Sequence, residues 1–396
     1  MRNLRDTYAP VYYIKVDGKR LPEDLAQRVT GIEFEDDAEK LPKLTVRFNN
    51  ADLEITDHPL FSMGKKVQIQ WGYIDGKLTQ PFTFTVKAIQ GFKVRELIAY
   101  GGGHRLSSKA KSRIWKGISY SDIASRIARE YGLKPVVEDT KIAHEQVAQS
   151  NQTDLNFLKE LAGKVGFECY EENGELHFHP KRLDSKPALA FAYYNGEYGN
   201  LISFEPVEKT LAEPNEVTVT GIDPLEKKPY IAKANDANVE RNAVAEGTYL
   251  YDGASGTETF RPGETGKKVA STARTPSEAK QQADANFRKA EEETVEASIE
   301  TVGEPGLLAK RVVTLYGLGK RYSGNWYVKN VRHVIGQGYR CFATLERNAT
   351  GAPDAAGAKK TSAKVNKEKA SLETEAKKKV VYEYSGETGA ERKIIR

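Results

Sequence analysis

Apolar and polar positions alternate with a two-residue period over the first hundred residues, the pattern of strands with one buried face. Val11-Tyr12-Tyr13-Ile14-Lys15-Val16 runs into Asp17-Gly18, and Val67-Gln68-Ile69-Gln70-Trp71 runs toward Asp75-Gly76 and then Phe82-Thr83-Phe84-Thr85-Val86. Asp-Gly between alternating stretches signals a hairpin, because both residues tolerate the backbone of a tight turn. Further strands are expected at Gly91 to Val94 and Leu97 to Tyr100, ending on Gly101-Gly102-Gly103. The segment reads as a small antiparallel β-domain.

The period then changes. Ser119-Tyr120-Ser121-Asp122-Ile123-Ala124-Ser125-Arg126-Ile127-Ala128 spaces its apolar residues helically behind a Ser/Asp cap, so a helix is expected from near Ser121. A second helix is signalled by Gln152 to Ala162, with Thr153 or Asp154 as cap and Gly166 as stop. The turn Asn173-Gly174 then leads into a strand, Glu175 to His179.

Strand alternation returns from Leu201 to Thr220, clearest in Asn215 to Gly221, and residues 222 to 270 carry no readable period. Pro276 in a first turn with Glu278 behind it predicts a helix to about Glu293. Strands follow at Val295 to Val302, Arg311 to Tyr316, Trp326 to His333 and Tyr339 to Glu346. Beyond them, Gly351 to Gly357 reads as a linker. Lys359 to Lys379, nearly all Lys, Glu, Ala and Ser, reads as a solvated helix or a disordered tail. Val380-Val381-Tyr382-Glu383-Tyr384 is a candidate strand that could add to a partner's sheet edge.

The two β-rich regions correspond in order. His58-Pro59-Leu60-Phe61 and Gly64-Lys65-Lys66-Val67 fall against Glu304-Pro305-Gly306-Leu307-Leu308 and Lys310-Arg311-Val312. Trp71-Gly72-Tyr73 then falls against Tyr316-Gly317-Leu318, and Phe84 to Ile89 against Trp326 to Val331. Three chains with two similar units each could close a ring of six.

Composition adds the class. Twenty Tyr, 14 Phe and 33 Gly against two Met favour β structure, and 396 residues are enough for several domains. Sixty basic and 55 acidic residues are interspersed, which favours a solvated surface over specific nucleic-acid binding. Cys169 and Cys341 sit among apolar or aromatic neighbours and read as buried thiols, a single disulfide being the alternative. The N-terminus has no apolar run behind its charges and no 18 apolar residues occur together, so no membrane span is expected.

Candidate chemistry is sparse. His177 and His179 lie two apart on a strand, as metal ligands can, but no third ligand stands at matching spacing. Gly317-Leu318-Gly319-Lys320 leads into a strand, not a helix N-terminus, so a hairpin turn is expected over a phosphate loop. The acidic pairs Asp36-Asp37 and Glu171-Glu172 read as solvated turn residues. No catalytic, metal or cofactor-binding residue is assigned, no cofactor is expected, and the chain is not expected to be an enzyme.

Gln152 to Ala162 with Gly166-Phe167 and Asn173 to Leu176, and above all Gly317 to Val328 with Val331-Arg332-His333 and Gly338-Tyr339, resemble the phage late control protein D family. That family comprises tail or baseplate hub proteins related to the hub part of type VI secretion spike proteins. The resemblance spans about residues 5 to 348 and implies a mainly β fold with an α+β insertion: two tube-like antiparallel β-barrel domains and a small LysM-like region. On it the chain divides into a first tube-like domain (1–104), the LysM-like insertion (105–190), a second β region with linker strands (191–274), a second tube-like domain (275–350) and a charged tail (351–396). It further implies a homotrimer that joins a sixfold tail tube to a threefold spike. The expected partners are the tube protein, a separate spike protein, the tape measure protein and other baseplate proteins. The setting is a phage tail or injection particle assembled in a bacterial cytoplasm. The alternative reading is a peptidoglycan-binding or cell-wall-degrading protein of the tail tip.

Overall fold

A computed structural model of the chain describes residues 9–347, apart from positions 75, 77, 194–198, 209–215, 223–228, 236–238, 240–265, 271–272, 274 and 293–294, and also 380–384 and 391–395. The linker and charged stretch expected over 351–379, and Asp75 of the second Asp-Gly turn, lie outside the described residues.

The first unit contains β1 (Pro10–Val16), β2 (Lys19–Arg20), helix α1 (Glu23–Gln27), β3 (Val29–Asp37), β4 (Lys43–Asn49), β5 (Lys66–Tyr73), β6 (Phe82–Gln90) and β7 (Val94–Tyr100). Asp17 and Gly18 take φ of 48° and 81°, the left-handed pair expected at the β1–β2 turn. The strand expected from Gly91 is instead a turn, because Gly91 at φ 79° reverses the chain between β6 and β7.

A helical segment with its own core follows: β8 (Ala110–Ser119), α2 (Tyr120–Glu130), β9 (Lys134–Val137), β10 (Ala143–Thr153), α3 (Asp154–Val165), β11 (Phe167–Glu172) and β12 (Glu175–Pro180). Ser119 Oγ accepts from the Asp122 amide, and Thr153 Oγ1 accepts from that of Asn156, so Thr153 is the cap of α3. Gly166, at φ 71°, ends the helix. Asp154 is free of capping duty and turns inward. Its fully buried carboxylate accepts from Lys111 Nζ at 2.6 Å, Tyr131 Oη at 2.7 Å and Gln149 Nε2 at 2.9 Å, tying α3 to the β8–β10 strand pair.

The remaining elements are β13 (Leu189–Ala192), β14 (Leu201–Glu208), β15 (Glu216–Ile222), β16 (Pro229–Asn235), β17 (Gly266–Ala270), α4 (Pro276–Glu292), β18 (Val295–Val302), β19 (Val312–Tyr316), the single turn α5 (Gly319–Tyr322), β20 (Gly324–Ile335) and β21 (Tyr339–Arg347). The strand pattern read over 201–220 is therefore two strands in different sheets, since β15 pairs with β16 and β17 while β14 pairs with β18. Residues 380–384 form β22, as expected, and pair with β23 (Glu391–Ile395) of the same chain.

One 13-stranded sheet runs β14-β18-β21-β20-β3-β4-β7-β6-β5-β1-β2, with β19 beside β20 and β13 beside β19. It contains the same five-strand order twice: β3-β4-β7-β6-β5 and β14-β18-β21-β20-β19. The irregularities match as well. An extra residue bulges from β3 between Val29 and Gly31 and from β14 between Leu201 and Ser203, and again from β6 between Val86 and Ala88 and from β20 between Val328 and Asn330. Gly64 and Lys65 exchange hydrogen bonds with Val86, as Lys310 and Arg311 do with Val328, all at 2.8–2.9 Å. The repeat read from the sequence is thus a repeat of structure, with β5 and β19 one residue out of the register read there: Lys66, not Val67, stands where Val312 does. A parallel bridge from Tyr193 to Leu201 curls the second unit back on itself, and its strands share one continuous apolar core with the first.

Gly64 and its counterpart Lys310 both have positive φ, 83° and 63°. For lysine that backbone is strained. It is held by a buried ion pair, Lys310 Nζ to Asp36 Oδ1 at 2.6 Å, and Asp36 also accepts from the Ala309 amide at 3.0 Å. Asp36 is 4% exposed, so the expectation of a solvated Asp36-Asp37 pair is corrected for Asp36. Asp36→Ala, which strands the Lys310 charge, should cost about 3–5 kcal/mol in urea unfolding. The double variant Asp36→Ala/Lys310→Gly should recover most of that loss.

Candidate assembly seam and polar groove

The two units meet where the C-terminal half of β20 pairs with β3, from Asn330 opposite Asp37 to Ile335 opposite Ile32. Behind this ladder lies a buried polar chain. Trp71 Nε1 donates to Tyr339 Oη at 2.8 Å, Tyr339 Oη donates to His333 Nδ1 at 2.7 Å, and His333 Nε2 donates to the Leu307 carbonyl at 2.8 Å. Tyr73 Oη donates to the Gly303 carbonyl at 2.7 Å. A side chain at 303 would collide with the Tyr339 ring, so this approach requires glycine. Each unit supplies part of the chain, and neither could satisfy it alone.

The imidazole must be neutral for this pattern, with its proton on Nε2. Burial agrees, pushing His333 down from 6.5 to about 4. The thiol of Cys341 lies 3.3 Å from His333 Nδ1. Cys341 and Cys169 are both free and buried, as read from the sequence, and burial pushes each thiol up to about 12.

The sheet face opposite the core forms, with the start of α3, an open groove of about 1020 Å³. Its wall is charged and mixed in sign: Glu35, Asp37, Glu205 and Glu300 stand among Lys43 and Arg332. Lys43 pairs with Glu35 at 2.8 Å, and Arg47 with Glu96 at 2.7 Å and Glu33 at 3.2 Å. Hydrogen bonds from Gln90 and Arg47 hold the Glu96 carboxyl below its usual range.

The helical segment is fastened beside the seam. Tyr327 Oη donates to Glu168, Arg311 forks onto Glu172 at 2.9 and 3.1 Å, and Lys310 Nζ lies 5.1 Å from the Tyr170 ring. Glu172 is therefore also engaged, while Glu171 caps the Gly174 amide. His177 stacks on Tyr170 with ring centroids 4.6 Å apart, and burial followed by His179 lowers it to about 4. His179 Nδ1 lies 2.8 Å from the Pro180 carbonyl, so the two rings belong to a packed cluster. Among the described residues, no three His, Cys, Asp or Glu side chains gather at metal-binding distance. Gly317 to Ser323 links β19 to β20 through one helical turn and completes an antiparallel pair, the hairpin expected there.

Residues 7–337 match the family described as the Alg8 N-terminal domain. The chain belongs to the Alg8 N-terminal domain family. Comparison with curated protein sequences finds no match. Among solved structures, this family member is similar to a tail protein from Neisseria meningitidis MC58, with 14% identity, 86% of this chain and 97% of that chain covered, and a TM-score of 0.60. It is also similar to the 43 kDa tail protein of prophage MuSo2 from Shewanella oneidensis (13%, 86% and 100%, 0.61). An Escherichia coli component of the type VI secretion system is a further likeness (10%, 86% and 79%, 0.51). At these identities the likeness shows a shared fold.

His333 sets a pH dependence. Its folded value lies below its unfolded one, so the unfolded chain binds the proton first, and stability present above pH 6.5 is lost as pH falls toward 4. Between pH 7 and 4.5 this one group should cost roughly 2–3 kcal/mol. Unfolding free energies from urea titration at the two pH values should differ by that much less in His333→Gln than in the parent. Equal differences would show that His333 does not titrate in this way.

Proposed function

We propose that the chain is a structural hub of a phage tail or phage-like injection particle, assembled as a homotrimer that joins a sixfold tail tube to a threefold spike. The observation that carries this reading is the doubled five-strand unit, with matching bulges and the two copies fused edge to edge in one sheet. Three such chains present six similar units toward a sixfold partner and three identical chains toward a threefold one. The shared fold with tail proteins and a type VI secretion component supports the setting. The resemblance to the late control protein D family supports the hub role within it.

On this reading the charged groove wall faces the passage through the ring, and the helical segment, LysM-like in the implied scheme, borders it at the start of α3. The partners are the tube protein, a separate spike protein and neighbouring baseplate proteins, with the 359–396 tail as an arm that docks the spike. The chain acts by geometry and has no catalytic role.

Light scattering on a sizing column tests the reading, with and without the neighbouring spike protein. A threefold chain mass in either condition is expected. A monomer in both would overturn the hub assignment and move weight to cell-wall binding.

A further inference from the structure

The contact that fastens the helical segment to the second unit gathers more carboxyl groups than cations. Lys181, just past β12, lies 2.8 Å from Glu292 of α4 and 3.1 Å from Glu346 of β21. Lys329 of β20 pairs with Glu346 at 2.5 Å and reaches Glu296 of β18 at 3.4 Å. Both lysines are thereby engaged, and Lys310 is held by Asp36. Glu168 of β11 enters the same contact only 8% exposed, and its hydrogen-bond partner among the described residues is the Tyr327 hydroxyl. Burial holds the phenol proton on Tyr327, so this partner is neutral. His179, opposite Glu168 in the β11–β12 ladder, is buried as well, and burial lowers its pKa, so it brings no charge.

We infer that the helical segment docks on the second unit by taking up one proton, which Glu168 holds at this contact, and that it lets go as the pH rises. With Glu168 protonated, Glu292 and Glu346 are matched by Lys181 and Lys329. Ionised, Glu168 adds an unmatched charge where water is scarce, a costly arrangement for a buried group.

Burial raises the Glu168 carboxyl above the ordinary carboxylate range, with Tyr327 and Lys181 opposing that shift and Glu292 adding to it. The docked state binds this proton more tightly than the undocked one. Docking is therefore strongest below the ordinary carboxylate range and is lost as pH rises through the raised value. The rest of the contact can yield. Its apolar part is the small cluster of Leu183, Val312 and Tyr327, and the Arg311 side chain that forks onto Glu172 is 42% exposed. One chain suffices for this device, whatever its assembly.

Spin labels at Arg126→Cys on α2 and Gln337→Cys in the β20–β21 turn, both exposed sites, test the docking by double electron–electron resonance on the full chain, native Cys169 and Cys341 being buried. Each single-label variant gives the distances between copies, to be subtracted. One distance within the chain is expected at pH 5. A second, longer one is expected to grow as pH is raised to 9, the ratio of the two rising by up to about tenfold per pH unit. Glu168→Gln keeps an acceptor for Tyr327 but cannot titrate, and it should show the single distance at every pH. Glu292→Gln frees Lys181 to match Glu168, and it should shrink the change. An unchanged distance in the parent from pH 5 to 9 would overturn the inference. So would a change as large in either variant as in the parent.

Discussion

Everything in this chain depends on one ladder, the pairing of β20 with β3, and on the polar groups buried behind it. A ladder alone would join two sheets loosely, since strands slip where nothing fixes their register. Here the Trp71–Tyr339–His333–Leu307 chain and the Lys310–Asp36 pair can be satisfied in one register only. Shifting either strand would leave buried donors and a buried charge without partners, a cost larger than any ladder bond returns. The two units are thereby locked into one rigid body.

That lock allows the units to carry insertions without losing their relation. The connection of β3 to β4 is a short turn, whereas its counterpart from β14 to β18 holds β15, β16, β17 and α4. The helical segment lies between the units in sequence, yet it fastens to the second unit through Glu168, Glu172 and Tyr170. It also meets α4, where His144 Nδ1 lies 2.5 Å from Glu278 Oε1. The inserted elements thus brace the seam, and the repeated strands keep the same geometry on both sides of it.

Much of this was legible in the sequence, and the limits have physical causes. Turn chemistry and caps are local, so Asp17-Gly18, Asn173-Gly174, Ser119 and Gly166 announced their elements correctly. The repeat was legible because the turn and aromatic-led strand recur in order. Its extent was not, because bulges at Thr30 and Ile202 leave no mark in hydrophobic alternation. The seam was invisible because its partners are remote: Trp71 and Tyr339 stand 268 residues apart. Asp36 looked like an ordinary turn acid beside Asp37, and only the fold brings Lys310 to it. Gly91 misled for the opposite reason, a turn glycine read as part of a strand because apolar residues flank it.

On the proposed hub reading, this doubled unit builds a ring of sixfold appearance from three chains. The most direct measurement is the rotational symmetry of end-on views of the purified assembly in the electron microscope. Six lobes around an open centre, with a threefold component from the helical segments, is the predicted result. Views without either symmetry, or a ring built from six whole chains, would contradict it.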